Sequence, residues 1–217
     1  MINACDAETG QRFTDVDIVD MLMTMIAAGH ETTAHAMTWM LYNLAKQPEL
    51  QELLAEEVEL AASGRPFDGQ ALRNMVHLEA FIKESMRVYP SVPLLMRVSA
   101  KGQQIGGFNI KKGAVIFLPI LAIHRHEDLW EDPNVFDHTR FLRVEPSTLS
   151  RTAYFPFGAG PRVCIGNAFT VVEMVAGIAT LLQQVRLRPA ADCEDFTFMH
   201  LLTLKPSNGL PLEVEFL

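Results

Sequence analysis

The sequence predicts a mainly α-helical fold with small β-sheets, an α+β arrangement. Three observations carry that reading. Apolar residues recur at helical spacing along one unusually long stretch and several shorter ones. Short β-like runs cluster in the middle of the chain and at its tail. Pro48, Gly64 and Pro90 fall at boundaries between segments.

Residues 1–13 read as a loop. Thr14 is placed to cap a helix, with Asp17 at the third helical position, close to a capping box. From there Ile18, Met21, Leu22, Met25 and Ile26, then Met37, Met40, Leu41 and Leu44, mark one face until Pro48 ends the pattern. About 32 residues at a rise of about 1.5 Å make a helix of about 48 Å. The mean helix has roughly 11–12 residues, so this one is expected to cross a large fold and the chain to belong to something larger. A second helix, "PELQELLAEEVELAA", closes near Gly64. A short one follows at "GQALRN", then "HLEAFIKESMRVY", which Pro90 stops. "VPLLMRVS", "QIGGFNI" and "AVIFLPI" read as strands separated by glycines and lysines. "GNAFTVVEMVAGIATLLQQ" is helical again. "VRLRP", "FTFMHLLTLKP" and "LPLEVEF" supply three more strands.

With 217 residues and 49% hydrophobic content the chain can build a core. A net charge of −8 argues against non-specific nucleic-acid binding, which needs a basic surface. Cys5, Cys164 and Cys193 are widely spaced and form neither a disulfide framework nor a paired-cysteine zinc pattern, so a reducing, cytoplasmic setting is expected. "MINACDAETG" lacks the parts of a signal peptide. No apolar run approaches the roughly 18 residues of a spanning helix, so this chain is expected to carry no membrane segment.

Cys164 has an unusual setting, "FPFGAGPRVCIGNAF". Gly158 and Gly160 permit a tight turn. An apolar helix starts just after the sulfur, where unpaired amides and the helix dipole favour an anion such as a thiolate. Arg162 adds positive charge, and Gly166 leaves room beside the sulfur for a flat ligand. A buried, inert cysteine in a glycine-rich turn is the plainer reading of Cys164 by itself.

The ten residues from Phe157 to Gly166 resemble the haem-binding signature of the cytochrome P450 family, Phe-Gly-x-Gly-x-Arg-x-Cys-x-Gly, at every fixed position. The resemblance implies haem b with Cys164 as the axial thiolate. A thiolate pushes electron density onto the iron and favours O–O cleavage. Arg162 would pair with a propionate, Phe157 would pack on the proximal face, and Gly158 and Gly166 would shape the loop.

Two further motifs follow the family's order. Glu84 and Arg87 are three apart on one helix face. Read plainly they are an exposed ion pair worth little. They match the family's Glu-x-x-Arg, whose third member would be Arg140 in "EDPNVFDHTRF", a stretch that retains Pro133, Phe136, Arg140 and Phe141 but has His138 where a proline is usual. The other motif is Ala28-Gly29-His30-Glu31-Thr32-Thr33. It interrupts an apolar pattern with a mid-helix glycine that costs about 1 kcal/mol against alanine. It resembles the family's Ala-Gly-x-Glu-Thr-Thr, which implies that Ala28 and Gly29 let the helix lie close to bound oxygen, that Thr32 hydrogen-bonds it, and that Glu31 relays protons, with Thr33 as support. Arg97 resembles a second propionate-binding arginine, and His124 is a further candidate for a propionate. His124, His126 and His138 lack the spacing of a metal cluster.

The resemblance covers nearly the whole chain but the C-terminal half of the family's fold, so residues 1–217 are expected to form a partial domain. It implies a monooxygenase that hydroxylates a small organic substrate with O2, using electrons from a ferredoxin or a flavoprotein reductase. The alternative is a truncated, incompetent haem-binding remnant or one half of a split enzyme. A half core would expose large apolar patches.

Overall fold

A computed structural model describes residues 4–5, 8–62, 64, 67–143, 152–191, 193, 198–200 and 202–217. The long helix is α1, Asp15–Lys46. Thr14 caps it: its hydroxyl accepts the Asp17 amide, and the Asp17 carboxylate accepts the Thr14 amide at 2.9 Å, a complete capping box. Helices α2, Pro48–Ala62, α3, Gly69–Arg73, and α4, Val76–Val88, follow where the sequence puts them. Glu57 of α2 caps α4 from outside, accepting the His77 and Leu78 amides at 2.9 and 2.8 Å.

The middle of the chain holds β1, Leu95–Val98, β2, Gln103–Ile105, β3, Phe108–Ile110, and β4, Val115–Leu118. β1 and β4 pair antiparallel, with β2 and β3 inserted as a hairpin. "QIGGFNI" is therefore not one strand. Gly106 and Gly107 both take positive φ, 55° and 85°, and reverse the chain in the two-residue hairpin turn such a pair favours. Two single-turn helices the sequence reading did not identify are α5, Ile120–Ile123, and α6, Arg140–Arg143. α7, Asn167–Leu182, is the apolar helix after Cys164.

In the tail, β5, Val185–Pro189, pairs with β8, Leu212–Phe216. Between them "FTFMHLLTLKP" folds into a second hairpin of β6, Phe198–His200, and β7, Leu204–Pro206, rather than one strand. The buried Gln51 of α2 holds β5 through both ends of its amide, accepting from the Leu187 N–H at 2.8 Å and donating to the Leu187 carbonyl at 3.0 Å. All four sheets among the described residues are two-stranded and antiparallel. Helix therefore dominates, as expected.

The core gathers where four helices meet. Met40 and Leu44 of α1, Leu54 and Val58 of α2, Phe81 and Ile82 of α4, and Met174 and Ile178 of α7 are buried together. A smaller cluster joins α1 to the tail: Trp39 stacks on Tyr89 at 4.4 Å, and its indole donates to the Leu204 carbonyl at 3.0 Å. The first half of α1 is different. Val16, Val19, Leu22, Met23 and Ile26 are exposed. No helix of the described residues is long and apolar enough to cross a membrane.

The Glu84–Arg87 pair is not an exposed ion pair: both side chains are 0% exposed. Arg87 uses all five N–H donors. Nε and Nη2 meet the Glu84 carboxylate at 2.8 Å each. Nη1 reaches the carbonyls of His124 and Pro133 at 2.9 and 2.7 Å, and Nη2 reaches that of Val135 at 3.1 Å. Glu84 also accepts the Asp137 amide at 2.9 Å and faces Arg140 at 3.6 Å. Arg140 donates to the Glu131 carbonyl at 2.7 Å. The loop 124–140 thus has no sheet or helix ladder, and buried charge organises its backbone instead.

Removing one member of a buried ion pair strands the other. Arg87→Ala is expected to lower unfolding free energy by about 3–5 kcal/mol, and Arg87→Lys to recover little because one ammonium cannot serve five acceptors. Urea denaturation checks this; a midpoint unchanged in Arg87→Ala would contradict it.

Candidate functional site

The loop before α7 carries the site. Gly158 and Gly160 sit at φ 74° and 72°, in the left-handed region a side chain disfavours. A Cβ on Gly158 would only reach ordinary contact with Leu95 Cδ1, at 3.5 Å, so the backbone angle is what requires glycine there. A 3-10 turn at Gly160–Arg162 follows, and the Cys164 amide then donates back to the Phe157 carbonyl at 2.9 Å. That bond closes the loop and delivers Cys164 just ahead of α7. Gly166 has an ordinary φ of −85°, and a Cβ there would make an ordinary contact with the Cys164 sulfur at 3.8 Å.

Two cavities flank the loop, and Phe157 and Gly158 line both. The larger, about 470 Å³, lies between the loop and α4 and has no cysteine in its lining. The smaller, about 270 Å³, holds the candidate chemistry. One wall is the loop, with Phe157, Gly158, Arg162 and Cys164. The other is α1, with Ala28 and Thr32 one turn apart. Met86, Val92, Leu95, Ile120 and Met174 make most of the remainder apolar, with Ser91 and Thr170 as polar additions. Cys164 is a free, exposed thiol.

The α1 wall is held from outside. The Thr32 hydroxyl donates to the Ala28 carbonyl at 2.7 Å. The Thr32 carbonyl accepts the Ser91 hydroxyl at 2.9 Å, and the Ser91 carbonyl accepts the Leu204 amide at 2.8 Å. Ser91 lies far from Thr32 in sequence, between Pro90 and Pro93, and no local pattern marks it. Glu31 does not line the cavity. It turns to the tail, where its carboxylate accepts the Thr203 hydroxyl at 3.2 Å. Gly29 does not line it either, and a Cβ added there would meet nothing within 4 Å. Thr33 is buried.

The arginines differ. Arg162 lines the cavity and has no ion-pair partner among the described residues. Arg97 shares the face of β1 that carries Leu95 into the cavity, but its guanidinium folds onto the Met96 carbonyl at 2.9 Å.

His124, the further candidate for a propionate, is not among the residues lining the cavity. It is fully buried and lies behind the loop, where Nε2 accepts the Phe155 amide at 3.1 Å. The neutral ring therefore carries its proton on Nδ1, which lies near the last carbonyls of α4, Met86 and Arg87, without a well-formed bond. Burial is the main reason its pKa falls to about 4, assisted by the charge of Arg87. Tyr154 stacks on the same ring at 5.3 Å and donates its hydroxyl to the Lys83 carbonyl at 3.0 Å.

The sequence model of the family described as "Cytochrome P450" matches residues 1–212. Among curated proteins, the chain is 34% identical to "Cytochrome P450 4V2" of Mus musculus, covering 96% of this chain and 40% of the relative. It is 34% identical to "Cytochrome P450 4X1" of Homo sapiens, covering 96% and 41%. It is 36% identical to "Leukotriene-B4 omega-hydroxylase 3" of Mus musculus, covering 96% and 40%. The chain thus spans about two fifths of the length of the curated relatives it matches.

His124 has a folded pKa below its ordinary 6.5, so the unfolded chain takes up its proton first as pH falls. The stabilisation is full above about pH 6.5 and is lost as pH falls toward about 4, by on the order of 3 kcal/mol. His124→Gln, which keeps an acceptor but does not titrate, is expected to flatten that part of the profile. Denaturant melts from pH 7 to 4 measure it; parallel profiles for the two proteins would contradict the assignment.

Proposed function

The chain belongs to the cytochrome P450 family, and on that premise we propose that residues 1–217 form a partial P450 domain. Its activity would be haem-thiolate monooxygenation: hydroxylation of an organic substrate with O2, two electrons and two protons, releasing water. One observation carries the reading. Cys164, a free thiol at the foot of α7, and Thr32 of α1 line one largely apolar cavity from two different elements.

The residues fit haem b. An apolar cavity suits a flat macrocycle, the sulfur is unhindered beside Gly166, and Arg162 is a cation at the rim. When bound, the haem would supply an iron centre able to activate oxygen. Cys164 would hold that iron, with backbone amides of the loop tuning the sulfur. Arg162 would hold a propionate. Arg97 would hold the other after its guanidinium leaves the Met96 carbonyl. Thr32 would turn its hydroxyl from the Ala28 carbonyl into the cavity and hold a proton at Oγ1. Glu31, on the same turn of α1 and reaching toward the tail, would bring protons from solvent to Thr32. Electrons would come from a ferredoxin or a flavoprotein reductase. One relative's name specifies hydroxylation, which supports the reaction type.

A second reading has its own support. The exposed apolar residues Val16, Val19, Met23 and Ile26 fit one half of a split enzyme, or a remnant that needs another polypeptide to cover α1.

The test is a carbon monoxide difference spectrum of the reduced chain, expressed with haem. A strongly red-shifted, thiolate-type Soret band that disappears in Cys164→Ser is the expected result. A band unchanged in Cys164→Ser would remove the ligand assignment, and no haem band at all would favour the remnant reading. In a reconstituted enzyme, Thr32→Ala is expected to keep haem while diverting most electrons to hydrogen peroxide. Product formed in full proportion to the electrons consumed would exclude Thr32 from proton delivery.

A further inference from the structure

We propose that His77 and His138 form a surface site for one divalent transition-metal ion of the zinc, nickel or copper type. His77 lies at the start of α4, and His138 lies two residues before Arg140. Their Nδ1 and Nε2 atoms are 3.4 Å apart, with the rings tilted by 49°. A direct N–H···N bond is normally shorter, near 3.0 Å. Two imidazoles bound to one ion at about 2.0–2.1 Å, at a tetrahedral angle, place their nitrogens about 3.4 Å apart. The pair is thus within N–H···N reach of each other and at the separation that two ligands of one cation require.

The surroundings favour that ion. Both rings are only partly buried, and an open groove lined by Glu56, Glu57 and His77 gives access from solvent. Asp137, Glu84 and Glu57 impose a negative potential on His138. Burial, with the neighbouring His77, nevertheless lowers the His138 pKa, so that ring is in its neutral, ligating form at pH 7. Glu57 is not a third ligand, because both its oxygens accept amides of α4. No group of three metal-ligating side chains converges among the described residues, so water would complete the coordination. Two imidazoles suit zinc, nickel and copper and exclude a calcium-type site. The position is also where the family's proline would remove the ligand, so the site would belong to this chain rather than to the family pattern. Occupancy would pin α4 to the loop that carries Arg140.

The test is zinc titration of the untagged 217-residue chain by calorimetry at pH 7.5, against His77→Gln and His138→Gln. Each variant is expected to lose the same one equivalent of zinc, or to bind it at least tenfold more weakly. Binding at the cysteines would persist in all three proteins. Zinc should also raise the melting temperature of the wild type more than that of either variant. Far-UV circular dichroism establishes that the variants are folded. Wild-type stoichiometry and affinity in both variants, or a wild-type chain that binds no zinc at this pair, would overturn the proposal.

Discussion

The structure depends on a carboxylate and a guanidinium buried together in α4. Glu84 and Arg87 are both withdrawn from water, which is expensive for either charge alone. Their geometry offsets that cost by satisfying each charge with several partners. Glu84 takes two bonds from Arg87 and one from the Asp137 amide, while the remaining Arg87 donors reach three carbonyls of the loop 124–135. An apolar pair of similar volume could fill the space, but it could not fix those carbonyls. The charge is what gives an irregular loop one conformation.

That loop transmits the constraint to the cysteine. Arg87 and Arg140 both lie against the Trp130 ring, at 5.2 and 6.0 Å. Trp130 packs on Phe141 and Tyr154, and Tyr154 stacks on His124. His124 then accepts the Phe155 amide, nine residues before Cys164. His124 is thus held twice, its carbonyl by Arg87 and its ring by the loop it supports. Keeping the ring neutral is part of the design, since a second proton on it would set donor against donor at Phe155. Even the one non-glycine left-handed residue among those described, Asp132 at φ 44°, lies inside this network, its carbonyl accepting the Val135 amide.

The readable parts of the sequence were those encoded locally. The capping box, the 32-residue span of α1, the glycines of the cysteine loop and the Glu84–Arg87 spacing each lie within a few residues, where periodicity and turn chemistry act. The two hairpins were missed as hairpins because a short apolar run with central glycines, or with no break at all, satisfies the pattern of one strand equally well. The burial of Glu84 and Arg87 was not legible, since the same spacing describes an exposed pair. Contacts between distant residues left no trace: Ser91 on Thr32, Thr203 on Glu31, and His138 on His77 are separated by 59, 172 and 61 positions. His124 shows the limit best. Its residue type made it a candidate for an anion, and only the fold shows that it is buried and accepts the Phe155 amide.

Both walls of the cavity are referenced to the same helix. Through Arg87 and His124, α4 fixes the loop that presents Cys164. Through the turn at its C-terminal end, α4 places Ser91, whose hydroxyl holds the carbonyl of Thr32. Met86, next to Arg87 on the same helix, lines the cavity itself. The arrangement matters because α1 changes character near this point, exposed at Met23 and Ile26 and with its buried positions beginning at Thr33. The first half of that helix, as it stands here, cannot set the position of Thr32 by packing. The bond from Ser91 and the anchored second half do so instead. The loop that presents Cys164 and the turn of α1 that carries Thr32 are therefore both tied to the helix that holds the buried ion pair.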